Sequence, residues 1–106
     1  MTDEQIAKLK AANPDAELHL LTNDEFDAEV VVKTPSEPEW RRFRSMSSDD
    51  AQKSGALRTL LLACIVHPTA AEFIAELERR PGLSETFGIK LVELAGVSLA
   101  TTVRKL

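Results

Sequence analysis

Apolar positions are most concentrated between Ala56 and Pro68, ALRTLLLACIVHP, where Leu60 to Val66 forms an unbroken run of seven. A run of that length falls far short of the roughly 18 to 20 residues needed to cross a bilayer. It predicts instead a central buried element of a globular domain, with no membrane association. The strong part of a helix is expected to begin near Ala56, because Gly55 weakens the turn before it. At the far end Ile65-Val66 carries strand character, which leaves the helix end open.

The flanking pattern supplies partners for that element. Thr2 and Gln5 fit a capping box, and Ile6 and Leu9 share one side of the short helix it would start, which Asn13-Pro14 should end. Leu18, Leu20, Val30 and Val32 lie in two stretches of partial apolar and polar alternation separated by Thr22-Asn23-Asp24-Glu25. That spacing predicts a β-hairpin with Glu17, His19, Asp27 and Glu29 facing outward and Phe26 near the loop exit, covering the sheet end. Thr34-Pro35 breaks the second strand. Ser36 and Glu39 then form another capping box, opening a helix from about Glu37 to Met46 in which Trp40 and Phe43 face one way and Arg41 and Arg42 stay solvated. Ser47 to Asp50 reads as a loop. Thr69 and Glu72 give a third box before an amphipathic helix with Phe73, Ile74 and Leu77 on its apolar face, closed by Pro81-Gly82. Ser84 is expected to cap a last helix with Phe87, Leu91, Leu94 and Ala95 inward and Gly96 as its stop.

These elements predict an α+β fold, mostly α-helical with an N-terminal β-hairpin. A single domain should cover residues 1–96, with the first helix and hairpin in 1–34 and a helical body in 36–96. Residues 97–106 have weak periodicity and read as a strand-like or disordered tail.

Composition narrows the class. With 43% apolar and 28% charged residues in 106, the chain reads as an ordinary folded domain, neither disordered nor of low complexity. The net charge of −4 conceals a division: residues 1–39 hold ten acids against three lysines, and residues 40–106 hold ten basic against seven acidic residues. An acidic N-terminal part could therefore pack against a weakly basic body or a neighbouring molecule. A lone cysteine and no signal-like N-terminal segment point to a reducing cytoplasm.

Candidate chemistry is sparse. Cys64 and His67, three apart, would share a helix face and offer minimal geometry for a thiolate–imidazole pair or two metal ligands. The only other histidine is His19, and a thiol inside an apolar run behaves as a small hydrophobe. The four glycines are isolated, so no phosphate-cradling loop is formed, and carboxylates such as Glu72 and Glu76 sit in solvated helix patterns. Neither catalytic residues nor a metal or cofactor site is expected. Trp40-Arg41-Arg42-Phe43-Arg44 interleaves aromatic and basic residues, the composition of a surface that stacks on bases. Three arginines in an acidic chain favour a core-facing aromatic pair with a solvated basic face, so nucleic acid is disfavoured as a partner. A small nucleic-acid-binding or regulatory module using Arg41, Arg42 and Arg44 is the alternative reading.

Taken in order, VVVKTPSEPEWRRFRSM, ALRTLLLACIVHPTAAEF and LERRPGLSETFGIKLVELAG resemble the small tail assembly chaperones of long-tailed bacteriophages and prophages. The likeness covers about Val30 to Gly96 and rests on the order and spacing of the pieces. It implies a non-enzymatic protein of the bacterial cytoplasm that binds the tape measure protein, assists tail tube subunits in assembling around it, and is absent from the finished virion. The family has no fixed binding residues to carry over. The apolar helix faces supply the candidate partner contacts: Trp40, Phe43, Phe73, Leu77, Phe87 and Leu91. Self-association through whichever apolar face stays exposed is a further expectation.

Overall fold

Each of the three capping boxes forms. In the computed structural model, which describes all 106 residues, Thr2, Ser36 and Thr69 each accept a hydrogen bond from the backbone three residues on. Gln5, Glu39 and Glu72 each accept one in return from the cap residue's own amide. These caps start α1 (Asp3–Ala12), α2 (Glu37–Ser47) and α4 (Ala70–Arg79). Between α1 and α2 the hairpin forms as β1 (Leu18–Asn23) and β2 (Ala28–Lys33). Asn23 Oδ1 accepts from the Phe26 amide at 3.0 Å inside the turn, and Asp27 takes a left-handed φ of 48°.

The long apolar run divides into two elements. After a short 3₁₀ turn at Lys53–Gly55, α3 (Ala56–Cys64) ends at Cys64, and β3 (Ile65–His67) follows without a linker. β3 joins β2 antiparallel, with Val32 opposite Ile65 and Val31 opposite His67, which leaves Val66 as an extra residue in the register. The β-branched Ile65-Val66 pair decides the helix end. Its side chains suit a pleated strand, and the pairing supplies partners for backbone groups that a longer helix would have satisfied. The His67–Pro68 peptide is cis.

The sheet has order β1-β2-β3 and is antiparallel throughout. The fold is therefore α+β, mostly helical, with its hairpin after the first helix. Register corrects the expected facing of β1. Residues directly opposite each other lie on the same face, so the pairs His19–Val32 and Leu21–Val30 share one side, and Leu20–Val31 and Leu18–Lys33 share the other. His19 therefore lies on the core side with Leu21. It is not an outward residue, and its Nε2 lies 2.9 Å from the Thr34 hydroxyl. Leu18 and Leu20 instead meet α1 across a void of about 40 Å³ that Ile6, Leu9 and Val31 complete. Alternation alone cannot distinguish the two faces when both are partly apolar. Because both faces of β2 are covered, Val30, Val31 and Val32 are buried in succession.

The main core lies between the other sheet face and the helices. Val30 and Val32 meet Leu60, Leu61 and Cys64 of α3, Phe73 and Leu77 of α4, and Leu83, Phe87 and Leu91 of α5 (Leu83–Leu94). Phe73 and Phe87 pack with centroids 6.1 Å apart at 56°, within the range where tilted aromatic pairs attract. Helices α3 and α5 approach closely at Gly88, where an added Cβ would stand 3.0 Å from Leu57 Cβ and 3.3 Å from the Leu57 carbonyl.

Of two local expectations for α5, one fails and the other holds. Ser84 is not its cap: the helix starts at Leu83 after Gly82 with no side-chain cap, and Ser84 is buried in the first turn. Gly96 is its stop. It has φ 110°, its amide donates to the Glu93 carbonyl at 3.0 Å, and the Val97 amide donates to Val92 at 3.4 Å, which together make a Schellman closure. Residues 97–106 then run exposed, without helix or strand.

The packing sets a graded response to substitution. Leu61→Ala, at a site with 0% exposure, should lower unfolding free energy by about 2–5 kcal/mol. Thr69→Ala, which removes only a cap, should cost about 1 kcal/mol. Gly88→Val should cost about 1–3 kcal/mol by forcing α5 away from Leu57. Urea unfolding at a fixed temperature measures all three, and Leu61→Ala falling below Thr69→Ala would contradict this placement of the core.

Candidate functional site

The N-terminus of α2 is fixed at three points by one carboxylate. Glu39 Oε1 accepts from the Ser36 amide and hydroxyl, each at 2.9 Å, and Glu39 Oε2 pairs with Lys33 Nζ at 3.0 Å. The Cys64 thiol also points at Oε1, at 3.9 Å. The end of β2, the start of α2 and the end of α3 therefore meet at Glu39. Burial works to raise the Glu39 carboxyl, but the Ser36 amide, the Lys33 and Ser36 side chains and the charge on Lys33 together hold it below its ordinary value of 4.5. At the exposed box of α4, hydrogen bonds from the Thr69 side chain and backbone lower Glu72, with a smaller contribution from His67.

Anchored in this way, α2 presents a ledge. Trp40 and Phe43 stack on each other with centroids 5.2 Å apart and planes 30° from parallel, and both are half-buried. Phe43 also packs against the core. Beside it, between α2 and α3, lies a groove of about 290 Å³ lined by Pro38, Glu39, Arg42, Phe43, Thr59, Leu60 and Ala63. A shallower hollow of about 570 Å³ continues it past the shared Pro38 and Arg42 to Met46. Arg41 pairs with Glu37 one turn earlier, whereas the side chains of Arg42 and Arg44 are exposed and make neither an ion pair nor a hydrogen bond. The groove therefore has an apolar floor, an already neutralised carboxylate and one free guanidinium at its rim. Sequence reasoning reached Trp40, Phe43 and the arginines but missed Thr59 and Ala63. Both lie on α3, and only its packing on α2 makes them a wall.

The other four candidate contact residues belong to the core. Phe73, Leu77, Phe87 and Leu91 are at most 3% exposed. Their apolar face is the one that holds α4 and α5 to the sheet, so a partner could reach them only by opening the domain. This corrects their assignment as partner contacts; Trp40 and Phe43 alone of the six remain accessible.

Cys64 and His67 are not brought together as a pair. The helix that would have aligned them ends at Cys64, and His67 sits exposed on β3. Burial, reinforced by the nearby Glu39 charge and its hydrogen bond and only partly opposed by Lys33, pushes the Cys64 thiol from 9.0 up to about 12. A thiol protonated at neutral pH and sealed from solvent is a poor nucleophile. No three His, Cys, Asp or Glu side chains converge as a metal-holding group. A second hollow, about 480 Å³, lies between the hairpin turn and α4. Its cations are already used internally: Arg79 pairs with Glu76 at 3.3 Å, and Arg80 lies 5.2 Å from the Phe26 ring centroid while donating to the Phe26 carbonyl. Phe26 thus ties the hairpin turn to the end of α4. No helix is long and apolar enough to cross a membrane.

A three-stranded sheet backed by helices, with an aromatic ledge on α2, defines a small α+β domain. The chain belongs to the family described as Domain of unknown function (DUF6848), whose pattern spans residues 5–104. Its fold is similar to that of an uncharacterised protein, rbstp2171, from Bacillus stearothermophilus, with a TM-score of 0.78 and 21% identity over 93% of this chain and 99% of that one. No curated protein matches the sequence.

Two pH limits follow at Glu39 and Cys64, one from the Ser36 and Lys33 contacts and one from burial. The folded carboxyl of Glu39 lies below 4.5, so its stabilising contribution is complete above that value and is lost as pH falls through the folded pKa. The raised thiol acts in the opposite direction. Its contribution is complete below 9.0 and is lost as pH rises from there towards about 12. Stability measured against pH should fall at both ends, and Cys64→Ala should remove part of the alkaline fall. In the native protein at pH 8, iodoacetamide should label Cys64 at least tenfold more slowly than in denaturant; equal rates would contradict the burial.

Proposed function

We propose that this protein works by binding, as a tail assembly chaperone of a long-tailed phage or prophage that holds the tape measure protein while tail tube subunits assemble. The observation that carries this reading is the ordered set of segments from Val30 to Gly96 that resembles such chaperones. Those segments make up one continuous unit of β2, α2, α3–β3, α4 and α5. The physical argument for a binding role starts from the client. A long helical chain exposes apolar stripes before assembly, and a small domain that covers them keeps the chain soluble until tube subunits take its place. The ledge and groove of α2 and α3 suit that task. Trp40 and Phe43 offer aromatic contact area on a helix whose start is pinned, so little ordering remains to be done on binding. Work in the bacterial cytoplasm and absence from the finished virion belong to the same proposal. The buried, protonated Cys64 lends no support to an enzymatic alternative.

The half-buried, mutually stacked rings of Trp40 and Phe43 leave no ring with both faces free, which weakens the reading of this helix as a base-stacking surface. Co-expression with the tape measure protein encoded nearby should keep that protein soluble and yield a complex on purification. Trp40→Ala should weaken the complex by about 2 kcal/mol or more, roughly thirtyfold, as expected of an aromatic anchor. Its fold, checked by circular dichroism, should be unchanged. A tape measure protein that stays insoluble and unbound beside the wild-type chain would overturn the proposal.

A further inference from the structure

Exposed apolar side chains are unevenly spread. Of the seven large ones, Val97, Leu99, Val103 and Leu106 lie in residues 97–106, and Leu99 and Val103 are 102% and 95% exposed. Val97, Leu99 and Val103 have the spacing of a strand, with Leu106 out of phase. Positions 97, 99, 101 and 103 read Val, Leu, Thr, Val, and the intervening 98, 100, 102 and 104 read Ser, Ala, Thr, Arg. Such a period-two pattern places one apolar and one more polar face on an extended chain. The backbone there is almost unused. Beyond the Val97 amide in the α5 closure, the only bond made is from the Ala100 amide to the Ser98 hydroxyl at 3.1 Å. The family pattern runs on to residue 104, so most of this stretch lies within its span.

A complementary edge is open on the sheet. β1 is an outer strand, and no backbone group of Leu18–Asn23 bonds to any element but β2. Its six residues contain no proline, lysine or bulge, the usual devices that keep an edge from pairing. The opposite edge, β3, is guarded: it is three residues long, irregular in register and followed by Pro68. Beside the open edge Leu20 is 43% exposed, on the face that α1 covers. Charge favours the same match. Residues 97–106 carry Arg104 and Lys105 and no acid, whereas Glu17 and Asp24 flank β1 within the acidic part of the chain.

We propose that residues 97–106 of a second copy add as a fourth strand along the outer edge of β1, and that the exchange is reciprocal, giving a two-fold dimer. Val97, Leu99 and Val103 then continue the apolar strip of Leu18 and Leu20, and Arg104 and Lys105 reach the carboxylate at one end of the strand. The exchange runs between copies because Val97 follows the Gly96 closure directly. α5 packs on α3, and within one copy the segment makes no backbone bond to β1. Strand addition to a free edge is an established mode of recognition, with backbone bonds giving affinity and alternate side chains giving register.

Light scattering on the full chain after size exclusion should give twice the 11.7 kDa protomer mass. The doubly substituted Leu99→Asp/Val103→Asp chain, altered only at exposed positions, should run as a monomer with an unchanged circular dichroism spectrum. Leu20→Lys should raise the dimer dissociation constant at least tenfold. A mixture of the tail variant and the edge variant should restore one contact, since each supplies what the other lacks. Amides of Leu99 to Val103 should be protected from hydrogen exchange in the wild-type dimer and not in the tail variant. A wild-type monomer up to millimolar concentration overturns the proposal. A dimer unaffected by the tail changes also overturns it, and one sensitive to them but indifferent to Leu20→Lys overturns the assignment of the edge.

Discussion

The backbone pairing of β2 with the three residues after α3 holds the two layers of this protein together. Because β3 begins at the residue where α3 ends, the sheet fixes where the helix points as well as where it stops. Leu60, Leu61 and Cys64 are delivered onto Val30 and Val32 by that junction, and the remaining helices pack on what it has already set. α5 completes the layer by approaching α3 at Gly88, where any side chain would compete with Leu57 for space. A run of seven apolar residues that looks uniform in the sequence is therefore two elements with different duties. Its first five residues close a helix, and its last two begin a strand.

Much of this was legible because it depends on local chemistry. A cap and its reciprocal partner lie three residues apart, so Thr2, Ser36 and Thr69 announced their helices without tertiary information. Gly96 likewise marked the end of α5 through the backbone conformation it adopts. What stayed hidden depends on non-local contacts. The facing of His19 and Leu20 follows from register against β2 and from a helix lying on the second face, neither of which alternation encodes. Ser84 resembles a cap in sequence but lies one residue inside the helix, held by burial rather than by capping. The apolar stripes of α4 and α5 are equally consistent with a core and with a client surface. Only packing assigned Phe73, Leu77, Phe87 and Leu91 to the core.

The candidate surface shows the same division. Trp40, Phe43 and the arginines of α2 stand out in composition, but their groove exists only because α3 supplies Thr59 and Ala63 as its opposite wall. The polar contacts around that groove serve the fold. Glu39 is shared among Ser36, Lys33 and Cys64, which removes it as a free acid and leaves Arg42 as the unpaired charge at the rim. Around the groove, the carboxylate of Glu39 and the thiol of Cys64 are both committed to contacts that hold the fold.

The helix that covers the sheet's second face is the least anchored of the five helices. α1 contributes no buried residue, and Ile6 and Leu9 rest over a small void instead of filling it. Openings of a folded chain span a range of free energies, and the lowest belong to elements with few apolar contacts. Lifting α1 would expose Leu18, Leu20 and Val31 together while leaving the core between β2 and the helices intact. The sheet thus has one permanent face and one that is covered by degrees, and the less protected face borders the free edge.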